Sequence, residues 1–241
     1  MRRPRSHSVV EGATVHKIWR AHNREYLLSR EEDKRRYLDE LHRDYLEKGL
    51  RDCFLVYAYV VMENHVHELV HISRFPEEFS DHMRRAHGRF GLKYNAVHGR
   101  LGKVAHDRPK TLRIQDERGE RKVLFYILAN VVKSGKSKNA GDIRFKESSA
   151  YRFYAYGERN EYSDMLSYPD WYLALGRTPK LRQRKFRSLF DRYLYDEGLI
   201  EHPELERGFL IGEPEWVKQE RERYRGWWRT WYDPDAPDPP E

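Results

Sequence analysis

The chain has 241 residues, 39% of them hydrophobic, and its 46 lysines and arginines outnumber 39 aspartates and glutamates to give a net charge of +7. This length allows one substantial domain with an appendage, or two small domains, and the basic excess suits a polyanionic partner. A single cysteine, Cys53, excludes an intrachain disulfide and a cysteine-rich zinc site. No apolar run approaches the ~20 residues of a membrane span. We therefore expect a cytoplasmic protein with no membrane partner.

The first third of the chain predicts a strand, a helix and a hairpin. Residues 13–22 alternate between apolar and polar side chains, as a strand does. Ser29 and Glu32 have the spacing of a capping box, which predicts the start of a helix. Residues 53–62 are rich in β-branched and aromatic side chains and predict a central strand, and residues 65–72 predict a second strand paired with it.

The pattern then continues with a helix, a strand and a further helix. Apolar residues at helical spacing predict a helix over residues 79–99. Residues 108–114 favour a fourth strand, and residues 120–134 favour a third helix. The order β-α-β-β-α-β, followed by a helix, predicts an α+β fold of the ferredoxin-like split β-α-β type, with an antiparallel sheet and helices on one face.

The C-terminal part has a different composition, and we predict a boundary between residues 1–155 and an extension over residues 156–241. Residues 177–192 predict a basic amphipathic helix, and residues 215–232 a tryptophan-rich one. The last nine residues, 233–241, are acidic and rich in proline, which predicts no packed element.

Two histidines, His65 and His67, form the first candidate site. Alternate residues of a strand face the same way, so the two imidazoles lie about 6–7 Å apart on one face. Such a pair can chelate one divalent cation if a third ligand comes from elsewhere. In a chain with 12 histidines, two of them can stand two positions apart by chance. A structural role for this pair is therefore the alternative.

Tyr126 and Asn130 form the second candidate site, because a separation of four residues places both on one face of a helix. An asparagine oxygen is a competent ligand for a hard cation such as Mg²⁺. A tyrosine is a poor nucleophile at neutral pH, since its pKa is about 10, but a metal that polarises a phosphate makes attack feasible. A core position for Tyr126 is the alternative.

These two motifs resemble those of a known family. Residues 62–70 (MENHVHELV) resemble the Met-Pro-Asn-His-Val-His-Leu-Leu-Val strand of HUH-type single-tyrosine transposases, and of the REP-associated tyrosine transposases in particular. Residues 126–132 (YILANVV) are similar to that family's Tyr-Ile-x-x-Asn-Pro-Val helix. Shorter similarities follow in family order, so that the resemblance spans residues 4–155; these are residues 16–24, 102–110 and 148–151.

Four positions depart from the family pattern, and they are Glu63, Glu68, Pro109 and Val131. None of them removes a predicted ligand or the tyrosine, so the departures put DNA specificity in doubt rather than chemistry. A regular strand directs Glu68 away from the two histidines. We therefore interpret Glu68 as a surface or interface residue.

The resemblance implies a reaction on single-stranded DNA at the foot of a hairpin. Tyr126 would attack the phosphorus and form a 5′-phosphotyrosine, which leaves a free 3′-hydroxyl. His65, His67 and Asn130 would hold Mg²⁺ or Mn²⁺, and His16 would pack beneath them as a core residue. The enzyme would act as a monomer or a homodimer. Seven basic residues are predicted to contact DNA: Arg108, Lys110, Lys133, Lys136, Arg182, Arg184 and Lys185.

Three other interpretations keep parts of this account. The first is a domesticated, non-catalytic protein that binds structured single-stranded nucleic acid. The second is a metal-dependent phosphoesterase that uses water instead of tyrosine. The third is a basic α+β domain whose histidines are structural.

Overall fold

The structure is a computed structural model that describes residues 7–135, 139–144, 146–198, 200–206 and 208–232. Its centre is a five-stranded sheet in the order β2-β3-β1-β4-β5. The strands are β1 (Thr14–Arg20), β2 (Phe54–Val61), β3 (His65–Ile72), β4 (Lys110–Ile114) and β5 (Leu210–Ile211). The first four pair antiparallel, and β5 runs parallel to β4. The α+β class and the predicted split β-α-β order are confirmed.

The α-helices lie between and after these strands. They are α1 (Glu31–Glu47), α2 (Pro76–His98), α3 (Glu117–Lys133), α4 (Ala140–Ile143), α5 (Tyr151–Tyr156), α6 (Asp170–Ala174), α7 (Pro179–Asp196), α8 (Pro203–Glu206) and α9 (Pro214–Tyr232). None of the helices described here is long and apolar enough to cross a membrane. The predicted capping box of α1 is wrong: the Ser29 hydroxyl donates to the Tyr26 carbonyl instead, and Arg30 takes the N-cap position.

Helices α1 and α2 of the split β-α-β motif share one face of the sheet, as predicted, and α3 adds a layer on the other face. Lys17 of β1 contacts Tyr37 of α1 and His87 of α2. The preceding residue, His16, faces the opposite way and contacts Tyr126 of α3. Because successive strand residues point to opposite faces, α1 and α2 cover one face and α3 covers the other. The third helix follows the last strand of the split motif and packs on β2 and β3.

Glu68 of β3 is buried rather than exposed, which corrects its interpretation as a surface residue. Its carboxylate lies 2.5 Å from the Lys17 ammonium, and both side chains are almost wholly buried beneath α1 and α2. The two residues are register partners across β1 and β3. The α1–α2 layer therefore covers this ion pair.

The C-terminal extension packs on the first 155 residues through a shared hydrophobic core. Phe186 and Phe190 of α7 are fully buried and pack edge to face or tilted against Phe125 of α3 and Tyr151 of α5, with ring centroids 5.0–6.3 Å apart. Aromatic pairs at this separation add to the apolar area that they bury. The core thus crosses the predicted boundary at residue 155, while the acidic tail at residues 233–241 lies outside the described part of the chain.

Candidate active site

The register of the sheet places charged and metal-binding residue types side by side on the face beneath α3. Arg20 lies opposite His65, and Ile18 lies between His67 on one side and Lys110 on the other. Residues directly opposite one another in antiparallel strands share a face. Two histidines and two cations therefore occupy adjacent positions on three strands.

Helix α3 brings the predicted tyrosine to this face. The helix begins at Asp116, whose side chain accepts a hydrogen bond from the Gly119 amide at 2.8 Å, as an N-cap residue does. The Tyr126 ring meets the His67 ring edge to face, with the centroids 5.9 Å apart. The structure therefore brings together residues that lie some 60 positions apart in the sequence.

The protonation of His67 follows from a chain of hydrogen bonds. The Leu205 carbonyl can only accept, so His16 donates to it from Nδ1 at 2.9 Å and is left with an acceptor at Nε2. His67 then donates from Nδ1 to that atom at 2.8 Å. Its own Nε2 therefore carries a lone pair, and this buried atom has no hydrogen-bond partner among the described residues. A fixed tautomer with the second nitrogen bare is what a metal-binding histidine needs.

A hydrogen bond also fixes the tautomer of His65. Its Nδ1 donates to the Asn64 side-chain oxygen at 2.7 Å, which leaves the lone pair on Nε2. The His65 and His67 rings are perpendicular, with centroids 4.7 Å apart. Burial lowers the pKa of His65 to about 4 and lowers the pKa of His67 well below its usual value. Both rings are therefore neutral at pH 7, and a neutral imidazole is the form that binds a cation.

Asn130 lies one helical turn beyond Tyr126 and lines the same cleft as His65. Its amide nitrogen donates to the Tyr126 carbonyl at 2.8 Å, so the nitrogen is held by the helix and the oxygen is the atom suited to a ligand role. Within the described residues, no group of three or more histidine, cysteine, aspartate or glutamate side chains could hold a metal ion. A metal site made of the His65 and His67 imidazoles and the Asn130 amide oxygen stays a prediction.

A cleft of about 1140 Å³ opens over this site, which is larger than the ~300–1,000 Å³ of most small-molecule pockets. Among the residues predicted to contact DNA, Arg108, Lys110 and Lys133 line it together with Tyr126. Three others lie on α7 and do not line the cleft as described, namely Arg182, Arg184 and Lys185. Lys136 lies outside the described residues.

One residue of the site, Glu206 of α8, was not predicted. The Tyr126 hydroxyl donates to its Oε1 at 2.5 Å, and the Arg20 guanidinium donates to its Oε2 at 2.7 Å. Burial, and next the hydrogen bond to this carboxylate, raise the pKa of Tyr126 above its ordinary value. Burial alone would raise the pKa of Glu206, but the Tyr126 hydrogen bond and the charge of Arg20 outweigh it and lower that pKa. No motif spacing pointed to a residue 80 positions further along the chain.

Two lysines of the cleft are engaged by the segment that carries Glu206. The Lys110 ammonium donates to the Glu206 carbonyl at 2.6 Å. The Lys133 ammonium donates to the Ile200 carbonyl and lies 5.3 Å from the centroid of the Tyr126 ring. The cations predicted to meet DNA therefore also position residues 200–206 beside the tyrosine.

No family model matches this chain, and no curated protein matches it either. Among solved structures, the chain is similar to a REP-associated tyrosine transposase bound to a REP hairpin. The sequence identity is 21%, the TM-score is 0.48, and the match covers 66% of this chain and 87% of that one. At these values the similarity assigns no role to any residue, so the function has to follow from the geometry of the site.

Proposed function

We propose that this chain is a metal-dependent tyrosine nuclease of the transposase type, which cleaves single-stranded DNA beside a hairpin and rejoins it through a 5′-phosphotyrosine. The observation that carries the proposal is the bare Nε2 of His67, a wholly buried atom of a ring that contacts the Tyr126 ring edge to face. A buried polar atom without a partner costs about 1–3 kcal/mol. A divalent cation bound there by His67, His65 and Asn130 would recover that cost beside a nucleophile.

The chain's own residues supply the remaining parts of such a reaction. The basic side chains of the cleft suit the phosphates of a bound strand, and they are Arg20, Arg24, Arg108, Lys110 and Lys133. The Tyr126 oxygen would form a bond to phosphorus while the bond from phosphorus to the 3′-oxygen breaks. Because the product is again a phosphodiester, a second 3′-hydroxyl can reverse the step. Mg²⁺ or Mn²⁺ would neutralise the charge that develops on the phosphate and the leaving oxygen.

A covalent-adduct assay tests this proposal. Labelled single-stranded hairpin oligonucleotides from the protein's genomic neighbourhood are incubated with Mn²⁺ or with EDTA and run on a denaturing gel. We expect a metal-dependent adduct that Tyr126→Phe abolishes. Tyr195→Phe is the control, because Tyr195 is 92% exposed and would be the first to react in a non-specific manner. Cleavage without an adduct would instead indicate a phosphoesterase that uses water.

The metal site can be tested without any nuclease substrate. A cation that binds the folded state alone stabilises it by about 2.7 kcal/mol at one hundred times its dissociation constant. We expect Mn²⁺ to raise the melting temperature of the natural protein and of His71→Ala, but not that of His65→Ala. His71 is a suitable control because it lies on the same strand and hydrogen-bonds to Thr14. An equal Mn²⁺ effect in all three proteins would contradict the ligand assignment.

A non-catalytic binder of structured single-stranded nucleic acid is the second candidate. The observation that favours it is the burial of Tyr126, whose side chain is 3% exposed and whose hydroxyl is already hydrogen-bonded. This candidate predicts hairpin binding that is unaffected by Tyr126→Phe, and no adduct with any metal. Oligonucleotides that bind tightly and are never cleaved would favour it over the nuclease.

A further inference from the structure

We propose that Glu206 is the general base that accepts the phenolic proton of Tyr126 when the tyrosine attacks DNA. The proposal rests on the nuclease function and adds a catalytic residue to it. The two side chains are joined by a hydrogen bond of 2.5 Å, and both line the cleft that would receive the strand. A general base has to lie within hydrogen-bond reach of the proton that it removes.

Three histidines pack against the Tyr126 ring, and they are His16, His67 and His202. His202 meets the ring edge to face, and its Nδ1 hydrogen-bonds to Glu204. Both nitrogens of His16 take part in hydrogen bonds, one to the Leu205 carbonyl and one to His67. His67 uses Nδ1 in that bond, and its Nε2 is assigned to the proposed metal ion. Among the described titratable groups, Glu206 is the one whose hydrogen bond to the Tyr126 hydroxyl is observed.

Glu206 is itself held in place, as the base of a nucleophile–base pair usually is. The Arg20 guanidinium binds Oε2 at 2.7 Å, which turns Oε1 toward the tyrosine. The Lys110 ammonium binds the backbone carbonyl of the same residue at 2.6 Å. Side chain and main chain of Glu206 are thus fixed by two strands of the sheet, β1 and β4, rather than by α8 alone.

The proton and bond balance is simple. As the Tyr126 oxygen bonds to phosphorus, its proton passes to Glu206 Oε1, the bond from phosphorus to the 3′-oxygen breaks, and that oxygen takes a proton from water. In the joining direction, protonated Glu206 returns its proton to the departing phenolic oxygen. A carboxylate of low basicity can serve in this way, since the catalytic-loop aspartate of protein kinases accepts a hydroxyl proton in the same class of reaction.

The test compares the rate of adduct formation under single-turnover conditions. Glu206→Gln keeps the shape and the hydrogen-bond acceptor but cannot take a proton. We expect it to slow adduct formation by roughly 10²–10⁴-fold, in a protein that still folds and still binds the hairpin. Glu204→Gln is the matched control, because Glu204 lies on the same short helix and interacts with Lys122 and His202 instead. A Glu206→Gln protein that reacts at the natural rate, or faster, overturns the proposal.

A second measurement separates proton transfer from a purely structural role. A fluorinated tyrosine at position 126 has a more acidic phenol and needs the base less. We expect this replacement to restore much of the rate lost in Glu206→Gln, whereas no restoration would contradict the proposal. If Glu206→Gln does not fold, Glu206→Ala assayed with added acetate replaces it, and the rate should rise with acetate concentration. If the natural protein forms no adduct at all, the proposed nuclease function is contradicted, and the general-base role of Glu206 is overturned with it.

Discussion

The buried ion pair on the opposite face of the sheet allows a quantitative test of the fold. Lys17 and Glu68 are 0% and 4% exposed, and their charged atoms lie 2.5 Å apart. Lys17→Met removes the cation, while the Tyr37 hydroxyl and His87 keep their own hydrogen bond at 2.9 Å. The substitution therefore leaves the Glu68 carboxylate buried without its ion-pair partner, and an uncompensated buried charge costs about 3–5 kcal/mol. This is a large part of the ~5–15 kcal/mol by which most domains are stable.

Urea unfolding of single and double variants measures this cost. We expect Lys17→Met to lower the free energy of unfolding by about 3–5 kcal/mol, and a second change, Glu68→Leu, to restore most of it because two apolar side chains can pack in place of the pair. Lys34→Met is the control, since Lys34 forms a partly exposed pair with Glu31, and such pairs contribute about 0–1 kcal/mol. A loss below 1 kcal/mol for Lys17→Met, or a double variant less stable than the single one, would refute the reasoning.

Three further predictions concern the face that carries the site. Burial raises the pKa of Glu120 from 4.5 to about 7, so its stabilising contribution is present below pH 4.5 and is lost as the pH rises through 7. Glu120→Gln should therefore raise the free energy of unfolding by roughly 3 kcal/mol more at pH 8 than at pH 4. Urea titrations at both pH values measure this difference, and an equal effect at the two pH values would contradict the prediction. Asp116→Ala should lower stability by about 1 kcal/mol through loss of the α3 cap, and an unchanged urea midpoint would contradict that. Phe186→Ala should cost about 3–5 kcal/mol in one cooperative transition, whereas a separate transition for the C-terminal part would show that the core is not shared.

The sequence was sufficient to predict the elements that carry periodic patterns. The strands at residues 54–61 and 65–72 follow from β-branched and aromatic composition, and the helix at residues 117–133 follows from the spacing of its apolar residues. The period of each element then shows which of its residues share a side. The same periodicity placed His65 with His67, and Tyr126 with Asn130. What brought these two pairs together was the register of β1 with β3 and the packing of α3, which no local pattern contains.

The parts that were mispredicted depend on long-range packing. Strand geometry directs Glu68 away from the two histidines and so predicts a surface or interface residue, but it does not reveal the buried partner Lys17, which is 51 positions away. Glu206 was missed for the same reason, since it meets Tyr126 only when the C-terminal extension folds back across the sheet. The covered second face of the sheet likewise follows from where α3 packs, and not from the order of the elements.

The polarity of the covalent product tests the central claim most directly. A hairpin oligonucleotide labelled at its 3′ end, and the same oligonucleotide labelled at its 5′ end, are each cleaved with Mn²⁺ present, and the labelled peptide is then identified by mass spectrometry. The nuclease account predicts that only the 3′-end label stays with the protein, on the peptide containing Tyr126, while the 5′-labelled fragment is released with a free 3′-hydroxyl. A label on any other residue, or a protein that retains the 5′-labelled fragment, would contradict the account.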